Sequence, residues 1–166
     1  ADALFRTIAY QYYQRPASFP LASQAMRQIL QTKAGIKFGH AIIADGSGLS
    51  RHNLLSADIL LQALEYIAKH EAQLQLMDTF PLATVDGTLT GRGSLIHEPL
   101  AKNLIAKTGA LKGVYNLAGF MTNKKGEKVA FVQFINGYST GDFERKTKRA
   151  PLVQFESQIY NRLYEH

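Results

Sequence analysis

The chain of 166 residues contains no cysteine and no tryptophan, and only 5 prolines. Without cysteine it can form no disulfide, no thiolate metal site and no cysteine nucleophile, a composition compatible with both the cytosol and the periplasm. Charged residues interrupt every apolar stretch well short of the roughly 20 residues that a membrane helix needs. The sequence therefore predicts no transmembrane segment, and we expect any signal peptide to lie upstream of Ala1.

Hydrophobic residues make up 46% of the chain and charged residues 19%. This balance favours a folded domain with a real core over a disordered or low-complexity chain. Lys and Arg outnumber Asp and Glu by 19 to 13, which gives a net charge of +6. A modest positive charge is compatible with an anionic partner, either nucleic acid or an anionic surface, and does not choose between them.

Residues 1–80 have mainly the apolar spacing of helices. Because apolar residues recur three and four positions apart, we predict helices from about Asp2 to Gln14, from Leu21 to Gly35, and onward from a cap at Ser56. A short apolar run, Ala41–Ala44, predicts the end of a strand that enters a tight turn.

Residues 81–103 have no period and are rich in turn-forming residues, which predicts a long ordered loop of functional interest. Strand chemistry follows over 104–136, in three segments: Leu104–Ala110, Val114–Thr122 and Lys128–Asn136. The turn sequence from Asn123 to Gly126 joins the last two as a hairpin, so the simplest arrangement is an antiparallel meander.

A terminal helix is predicted over 151–165, opened by Pro151. We expect it to lie on the sheet through one apolar stripe, formed by Leu152, Phe155, Ile159 and Leu163.

Lys107-Thr108-Gly109 falls inside the first predicted strand. On an edge strand these residues offer a cation, a hydroxyl and a position without Cβ, which together can hold an anionic peptide end laid along the strand. The alternative is an ordinary edge strand with a solubilising lysine and a glycine at a bulge. A tripeptide alone does not separate the two interpretations.

The segment from Asp45 to His52 contains the residue types of a serine hydrolase triad but lacks the Gly-x-Ser-x-Gly elbow. We therefore interpret it as a turn held by Asp and Ser side chains, with Arg51 projected from its end. Arg51 could bind a carboxylate through two hydrogen bonds, or be a plain surface charge. The histidines share no spacing typical of metal ligands, so no metal site and no cofactor are predicted.

The densest basic patch spans Arg145 to Arg149. It has no nearby aromatic side chains on which bases could stack, so a solvated loop is the simpler interpretation and no nucleic-acid partner is predicted. A basic nucleic-acid-binding or surface-binding module remains the alternative function.

Three sequence blocks in order resemble the penicillin-binding protein 4 type of D-alanyl-D-alanine carboxypeptidase and endopeptidase, a class C low-molecular-mass penicillin-binding protein. They are DGSGLSRHN at 45–53, PLATVDGTL at 81–89 and AKTGALKGVYNLAGF at 106–120. The resemblance covers essentially the whole chain but only the later part of the family. It implies an α/β fold of α+β type, with an antiparallel sheet flanked by helices as in transpeptidases and beta-lactamases, incomplete without the N-terminal part.

By this resemblance the whole protein is a periplasmic serine-type enzyme that cleaves D-Ala-containing peptide bonds of peptidoglycan through an acyl-enzyme, and beta-lactams inhibit it. The family carries Ser-x-x-Lys, Ser-x-Asn and Lys-Thr-Gly motifs. In this chain no serine is followed by Lys at the third position or by Asn at the second. We therefore expect the N-terminal remainder of the protein to supply the nucleophile and this chain alone to be inactive. A non-catalytic relative that binds peptidoglycan is a further alternative.

The resemblance also implies roles for the matched residues. Lys107 places a positive charge beside the catalytic serines, and Thr108 hydrogen-bonds the substrate carboxylate. Gly109 lets the substrate backbone approach, and the amide of Ala110 donates to the oxyanion. Arg51, at the family's arginine after Gly-Leu-Ser, is the candidate for a second anion contact.

Overall fold

The computed structural model describes residues 1–139 and 150–166. The chain forms two compact units, Ala1–Tyr66 and Ile67–His166. Helix and antiparallel sheet are both present, which confirms the predicted mixed fold class.

The first unit contains the predicted helices, α1 over Asp2–Tyr13 and α2 over Phe19–Ala34, and α3 over Ala57–Lys69 begins in it. Gly35 ends α2 in the left-handed conformation at φ 67°, which glycine adopts without steric cost. The Ile59 amide donates to the Ser56 hydroxyl at 3.3 Å, so Ser56 caps α3 as predicted.

The first unit has two groups of buried residues. Phe5, Ala9, Ala17, Ala22 and Ala25 form one cluster, where the small alanines allow α1 and α2 to approach closely. Ile36, Phe38 and Ile59 form the other.

The strand predicted at Ala41–Ala44 is wrong. Only an isolated bridge between Ile42 and Leu54 forms here. The reason is that the Asn53 side chain replaces a partner strand: its Oδ1 accepts from the Ala44 amide at 2.7 Å and from the Asp45 amide at 3.4 Å. Residues 42–54 therefore form a closed loop.

The second unit is built on an antiparallel sheet whose strands lie in the order β1-β2-β3: β1 over Leu104–Leu111, β2 over Val114–Thr122 and β3 over Lys128–Gln133. The predicted meander and its hairpin are thus confirmed. Asn123 closes the hairpin, because its Oδ1 accepts from the Lys125 amide at 3.0 Å and the Glu127 amide at 2.8 Å.

β3 ends earlier than predicted, at Gln133 rather than Asn136. The Asn116 side chain accepts from the Ile135 amide at 3.1 Å, and the Gln133 side chain donates to the Tyr115 carbonyl at 3.4 Å. These two side chains hydrogen-bond backbone groups through which β2 and β3 would otherwise pair, so the regular hydrogen-bond ladder ends there.

The position of Gly119 on β2 keeps β1 and β2 close together. Gly119 lies opposite Ala106, and a Cβ at residue 119 would overlap the Ile105 carbonyl oxygen and the Ala106 Cα. Only glycine fits at this position in the sheet.

A terminal helix, α5 over Ala150–Glu165, follows the sheet. Its Tyr160 ring lies 5.2 Å from the Phe131 ring of β3, which confirms that the helix packs on the sheet. The core of this unit is apolar and contains Ala83, Leu89, Leu95, Leu100, Leu104, Ala106, Leu117, Met121, Phe131 and Tyr160.

The predicted apolar stripe of α5 is only partly correct. Leu152 is buried, but Phe155 is 50% exposed and Ile159 is 38% exposed. Glu156 and Tyr160 are buried instead. The helix is rotated about its axis relative to the prediction because Glu156 has polar partners inside the unit.

Preceding the sheet, α4 over Glu71–Leu74 and two short 3-10 turns, Met77–Thr79 and Gly87–Leu89, punctuate the chain. Across the described ranges, 1–139 and 150–166, none of the helices has the length and apolarity required to cross a bilayer.

Candidate functional site

One side of β1 is an open sheet edge over the second half of the strand. The Ala83 amide donates to the Leu104 carbonyl at 2.8 Å, and the Ala106 amide donates to the Pro81 carbonyl at 3.0 Å. Backbone groups alternate between the two sides of an antiparallel strand, so those of Thr108 and Ala110 point to this same side. Within residues 1–139 and 150–166, no backbone segment pairs with the Thr108 and Ala110 amides.

The residues predicted for anion binding lie consecutively on this edge. Lys107, Gly109 and Ala110 are exposed and Thr108 is half-buried. The Lys107 ammonium donates to the Thr108 carbonyl at 2.6 Å, so positive charge already lies over the edge. The arrangement offers an ammonium, a hydroxyl and two outward amides to a bound group.

Successive side chains of β1 point to opposite faces. Thr108 shares the face of Leu104 and Ala106, which belong to the core. Lys107 shares the other face with Gly109. A Cβ at residue 109 would meet only the Asn116 Cβ at 3.5 Å, an ordinary contact. The fold therefore does not require glycine at 109, and its small size is available to a bound molecule.

A loop over residues 81–89 adjoins this edge. The Leu82 amide donates to Asp86 Oδ1 at 2.7 Å and closes the loop. Gly87 has φ +52°, and a Cβ there would come within 3.0 Å of the Pro81 ring. The loop carries Thr88 to β1, where the Thr88 and Thr108 hydroxyl oxygens lie 3.0 Å apart. Sequence reasoning placed residues 81–89 in a functional loop but did not connect Thr88 with Thr108.

A buried ionic network anchors the following loop to α5. Glu156 forms an ion pair with Arg92, accepts from the Ser94 hydroxyl at 2.7 Å and accepts from Gln133 Nε2 at 2.7 Å. The Tyr160 hydroxyl donates to Gln133 Oε1 at 2.7 Å. Burial raises the pKa of Tyr160, and the negative charge of Glu156 raises it further.

Sequence reasoning missed this network. The available signal was Glu156, one of two glutamates on the predicted terminal helix, and its partner Arg92 lies 64 positions away in the chain. Glu156 therefore ties the loop that follows Thr88 to α5, within the same unit as β1. It does not itself lie on the open edge of β1.

Arg51 is exposed in the closed loop of the first unit. Asp45 organises this loop, because its carboxylate accepts from the Gly48 and Ser50 amides at 2.9 Å each and from Asn53 Nδ2 at 2.8 Å. Burial alone would raise the pKa of Asp45, but these hydrogen bonds and one from the Ser47 hydroxyl outweigh it and hold the pKa below its ordinary value. Arg51 and the β1 residues thus belong to different units.

The segment from Asp45 to His52 forms no serine hydrolase triad. The Ser47 hydroxyl donates to Asp45, and the Ser50 hydroxyl accepts from the backbone amide of His52. The turn interpretation of this segment is confirmed.

For the residues that the structure describes, no group of three or more His, Asp or Glu side chains is arranged to hold a metal ion. The basic patch from Arg145 to Arg149 lies outside the described residues.

Comparison with known proteins gives a consistent result. Residues 1–159 match the family described as D-Ala-D-Ala carboxypeptidase 3 (S13). Over all 166 residues the chain is 69% identical to D-alanyl-D-alanine carboxypeptidase DacB of Haemophilus influenzae, and it spans 34% of that protein's length.

Solved structures agree in fold. The crystal structure of penicillin binding protein 4 (dacB) from Haemophilus influenzae, complexed with a novel beta-lactam, matches with a TM-score of 0.95 and 68% identity. The match covers 100% of this chain and 38% of that one. A TLA-1 extended-spectrum beta-lactamase shares the fold at a TM-score of 0.57 and 17% identity, over 86% of this chain and 55% of that one. The resemblance inferred from the three sequence blocks is confirmed, as is the beta-lactamase-like fold.

Proposed function

The chain belongs to the D-Ala-D-Ala carboxypeptidase 3 (S13) family, and on this basis we propose that it forms one wall of a serine-type active site. The reaction is acyl transfer: a serine attacks the carbonyl carbon of a D-Ala-containing peptide bond of peptidoglycan, the C–N bond breaks and the amine leaves. Water then hydrolyses the acyl-enzyme ester, which releases the acyl product and regenerates the serine. We include both the carboxypeptidase and the endopeptidase reaction, and place the enzyme in the periplasm.

The open edge of β1 is the observation that supports this proposal. An extended peptide can add to such an edge through backbone hydrogen bonds, and the side chains along the edge then select its end groups. The outward amides of Thr108 and Ala110 are available among the described residues, and Lys107 supplies a cation beside them. A terminal carboxylate laid at Thr108 meets both an ammonium and a hydroxyl.

Each residue has one role in the proposed reaction. Lys107 stabilises the deprotonated serine and attracts the anionic substrate, and Thr108 hydrogen-bonds the carboxylate. Gly109 lets the substrate and the nucleophile approach the strand. The Ala110 amide donates to the oxyanion together with the amide of the nucleophile, and loss of one such donor costs about 10² to 10³ in rate.

Arg51 is the proposed second anion contact. Its loop is held rigid by the Asp45 carboxylate and Asn53, so the guanidinium is presented from a fixed backbone. Guanidinium is suited to carboxylate because two parallel hydrogen bonds match its planar fork.

The nucleophile comes from outside this chain in our proposal. The Ser-x-x-Lys and Ser-x-Asn patterns do not occur here, and the chain spans about a third of its curated relative. The remainder of a longer polypeptide is therefore the proposed partner, together with peptidoglycan peptides as substrate and beta-lactams as inhibitors. A beta-lactam is bound to the similar Haemophilus protein.

A fluorescent penicillin tests the proposal directly. We expect covalent labelling of the longer protein and none of the 166-residue chain alone. Lys107→Ala in the longer protein should reduce labelling by about 10² or more, because the cation beside the nucleophile is lost. The matched control is Lys112→Ala, which removes another exposed lysine, from the turn after β1, and should label like the wild type.

Labelling of the isolated chain would refute the proposed source of the nucleophile. Unchanged labelling of Lys107→Ala would remove Lys107 from the mechanism. A longer protein that binds muropeptides but never labels would be a non-catalytic relative.

A further inference from the structure

The loop over residues 81–89 determines where the open edge of β1 begins. The Ala106 amide donates to the Pro81 carbonyl and the Leu104 carbonyl accepts from the Ala83 amide, so these outward backbone groups of β1 already have partners. A peptide that pairs with this edge can therefore engage the strand only from Thr108 onward. The end of that peptide nearest the loop must fall beside Thr108.

Thr88 lies at this end of the edge. Its hydroxyl oxygen is 3.0 Å from that of Thr108, and its own side chain is exposed. The next residue, Leu89, is fully buried in the core, while Gly87 packs against Pro81. Thr88 is thus held on both sides and cannot drift from Thr108 without disturbing the core.

The proton count of the two hydroxyls gives this contact a chemical consequence. Each threonine hydroxyl has one proton to donate and two lone pairs to accept. If Thr108 donates to Thr88, it has no proton left for a carboxylate. If Thr88 donates to Thr108, the Thr108 proton is free, and the chain of hydrogen bonds polarises it toward an anion.

We propose that Thr88 is a positioning residue for carboxylate recognition: it donates to Thr108 when substrate binds and turns the Thr108 hydroxyl proton toward the substrate carboxylate. This inference rests on the proposed function and deepens it. No bond to substrate is made by Thr88 itself, so its whole effect passes through Thr108.

A double-mutant cycle in the longer protein tests the inference. The second-order rate constant of acylation by a fluorescent penicillin, which carries a carboxylate, is measured for the wild type, Thr88→Val, Thr108→Val and the double variant. Thr88→Val keeps the side-chain shape and removes the hydroxyl. We expect it to lower the rate constant about 3- to 10-fold, the effect of one lost hydrogen bond. In the Thr108→Val background it should cause no further loss.

Two more variants separate positioning from structure. Thr88→Ser keeps the hydroxyl and should restore the rate. Thr90→Val removes a hydroxyl that follows directly after this loop and donates to the Gly87 carbonyl at 3.1 Å, and it should leave the rate unchanged. Thermal unfolding midpoints should agree among all four single variants and the wild type.

An unchanged rate for Thr88→Val, or an equal loss in both backgrounds, would overturn the inference. So would a Thr90→Val variant that reproduces the loss, or a Thr88→Val variant that lowers the unfolding midpoint in parallel. A wild-type longer protein that never labels would refute the proposed function itself, whereas normal wild-type labelling with an unaffected Thr88→Val variant refutes this inference alone.

Discussion

At the scale of single residues, Gly109 offers the clearest separation of fold from function. Ala at 109 adds a methyl group that meets only the Asn116 Cβ at 3.5 Å, so stability should not change. In the proposed site the same methyl group stands on the Lys107 face of β1, where the nucleophile approaches. We expect Gly109→Ala to lower penicillin acylation about tenfold or more, since overpacking a close contact costs about 1–3 kcal/mol.

The control for Gly109→Ala is Gly91→Ala. Nothing lies within 4 Å of a Cβ at residue 91, so this variant changes the same residue type without crowding. Both variants are compared with the wild type by acylation rate and by thermal unfolding. A drop in the unfolding midpoint of Gly109→Ala would mean that the strand, and not the reaction, requires glycine there.

At this scale, the sequence could place residues that are adjacent in the chain, but it could not identify contacts between distant residues. Lys107, Thr108 and Gly109 are adjacent in the chain, so their placement on one strand edge follows from strand geometry alone. Thr88 meets Thr108 across 20 positions. That contact depends on how the 81–89 loop folds back on β1, and no local pattern encodes it.

At the scale of secondary-structure elements, α5 shows why the spacing of apolar residues can predict the wrong buried face of a helix. Phe155 and Ile159 belong to the predicted stripe, yet they are exposed, while Glu156 is 2% exposed. The helix rotates because Arg92, Ser94 and Gln133 together satisfy the buried carboxylate. A charge is tolerated inside a protein only with such partners, and partners from two other segments, the loop with Arg92 and Ser94 and strand β3, are not visible in the helix itself.

The ends of other secondary-structure elements were well predicted from the sequence. Helix ends at Gly35 and Ser56 and the hairpin at Asn123 follow from backbone and capping chemistry that acts over a few residues. The strand predicted at Ala41–Ala44 failed because the Asn53 side chain took the place of a partner strand. Local signals succeed where local bonds decide the structure.

The Glu156 network leads to a prediction about stability. Glu156→Ala leaves Arg92 without its counter-charge, and the Ser94 hydroxyl and the Gln133 amide lose their acceptor. We expect a loss of about 3–5 kcal/mol, the usual cost of removing one partner from a buried pair. Hydrogen exchange of the β2 and β3 amides measures it as the free energy of opening.

Glu165→Ala is the matched control on the same helix. Its ion pair with Lys124 is exposed, with 61% and 59% of the two side chains accessible, and exposed pairs contribute little. Amide protection in β2 and β3 should therefore stay close to that of the wild type. Equal effects of the two substitutions would show that the buried network contributes no more than a surface pair.

At the scale of the whole molecule, each unit has buried apolar residues of its own, yet the first unit also presents apolar surface. A shallow depression on α1 and α2 is lined by Thr7, Ile8, Gln11, Tyr12 and Ile29. Leu4, which also lies on α1, is 64% exposed. Contiguous apolar surface on a protein marks an interaction site or a tendency to aggregate.

Because the chain spans 34% of its curated relative, we expect the remainder of the longer protein to cover this depression. The 166-residue chain alone should then self-associate with increasing concentration, and the longer protein should not. Sedimentation velocity over a concentration series measures this. Replacing Ile8 and Ile29 by Gln should weaken self-association by tenfold or more, since each buried aliphatic side chain is worth about 1.5–3 kcal/mol.

The control is Leu49→Gln, which removes an apolar side chain that is 66% exposed on a separate loop, so it should change self-association little. Two results would show that the surface of α1 and α2 does not need to be covered: an isolated chain that stays monomeric at every concentration, or a Leu49→Gln variant that weakens self-association as much as the double variant does.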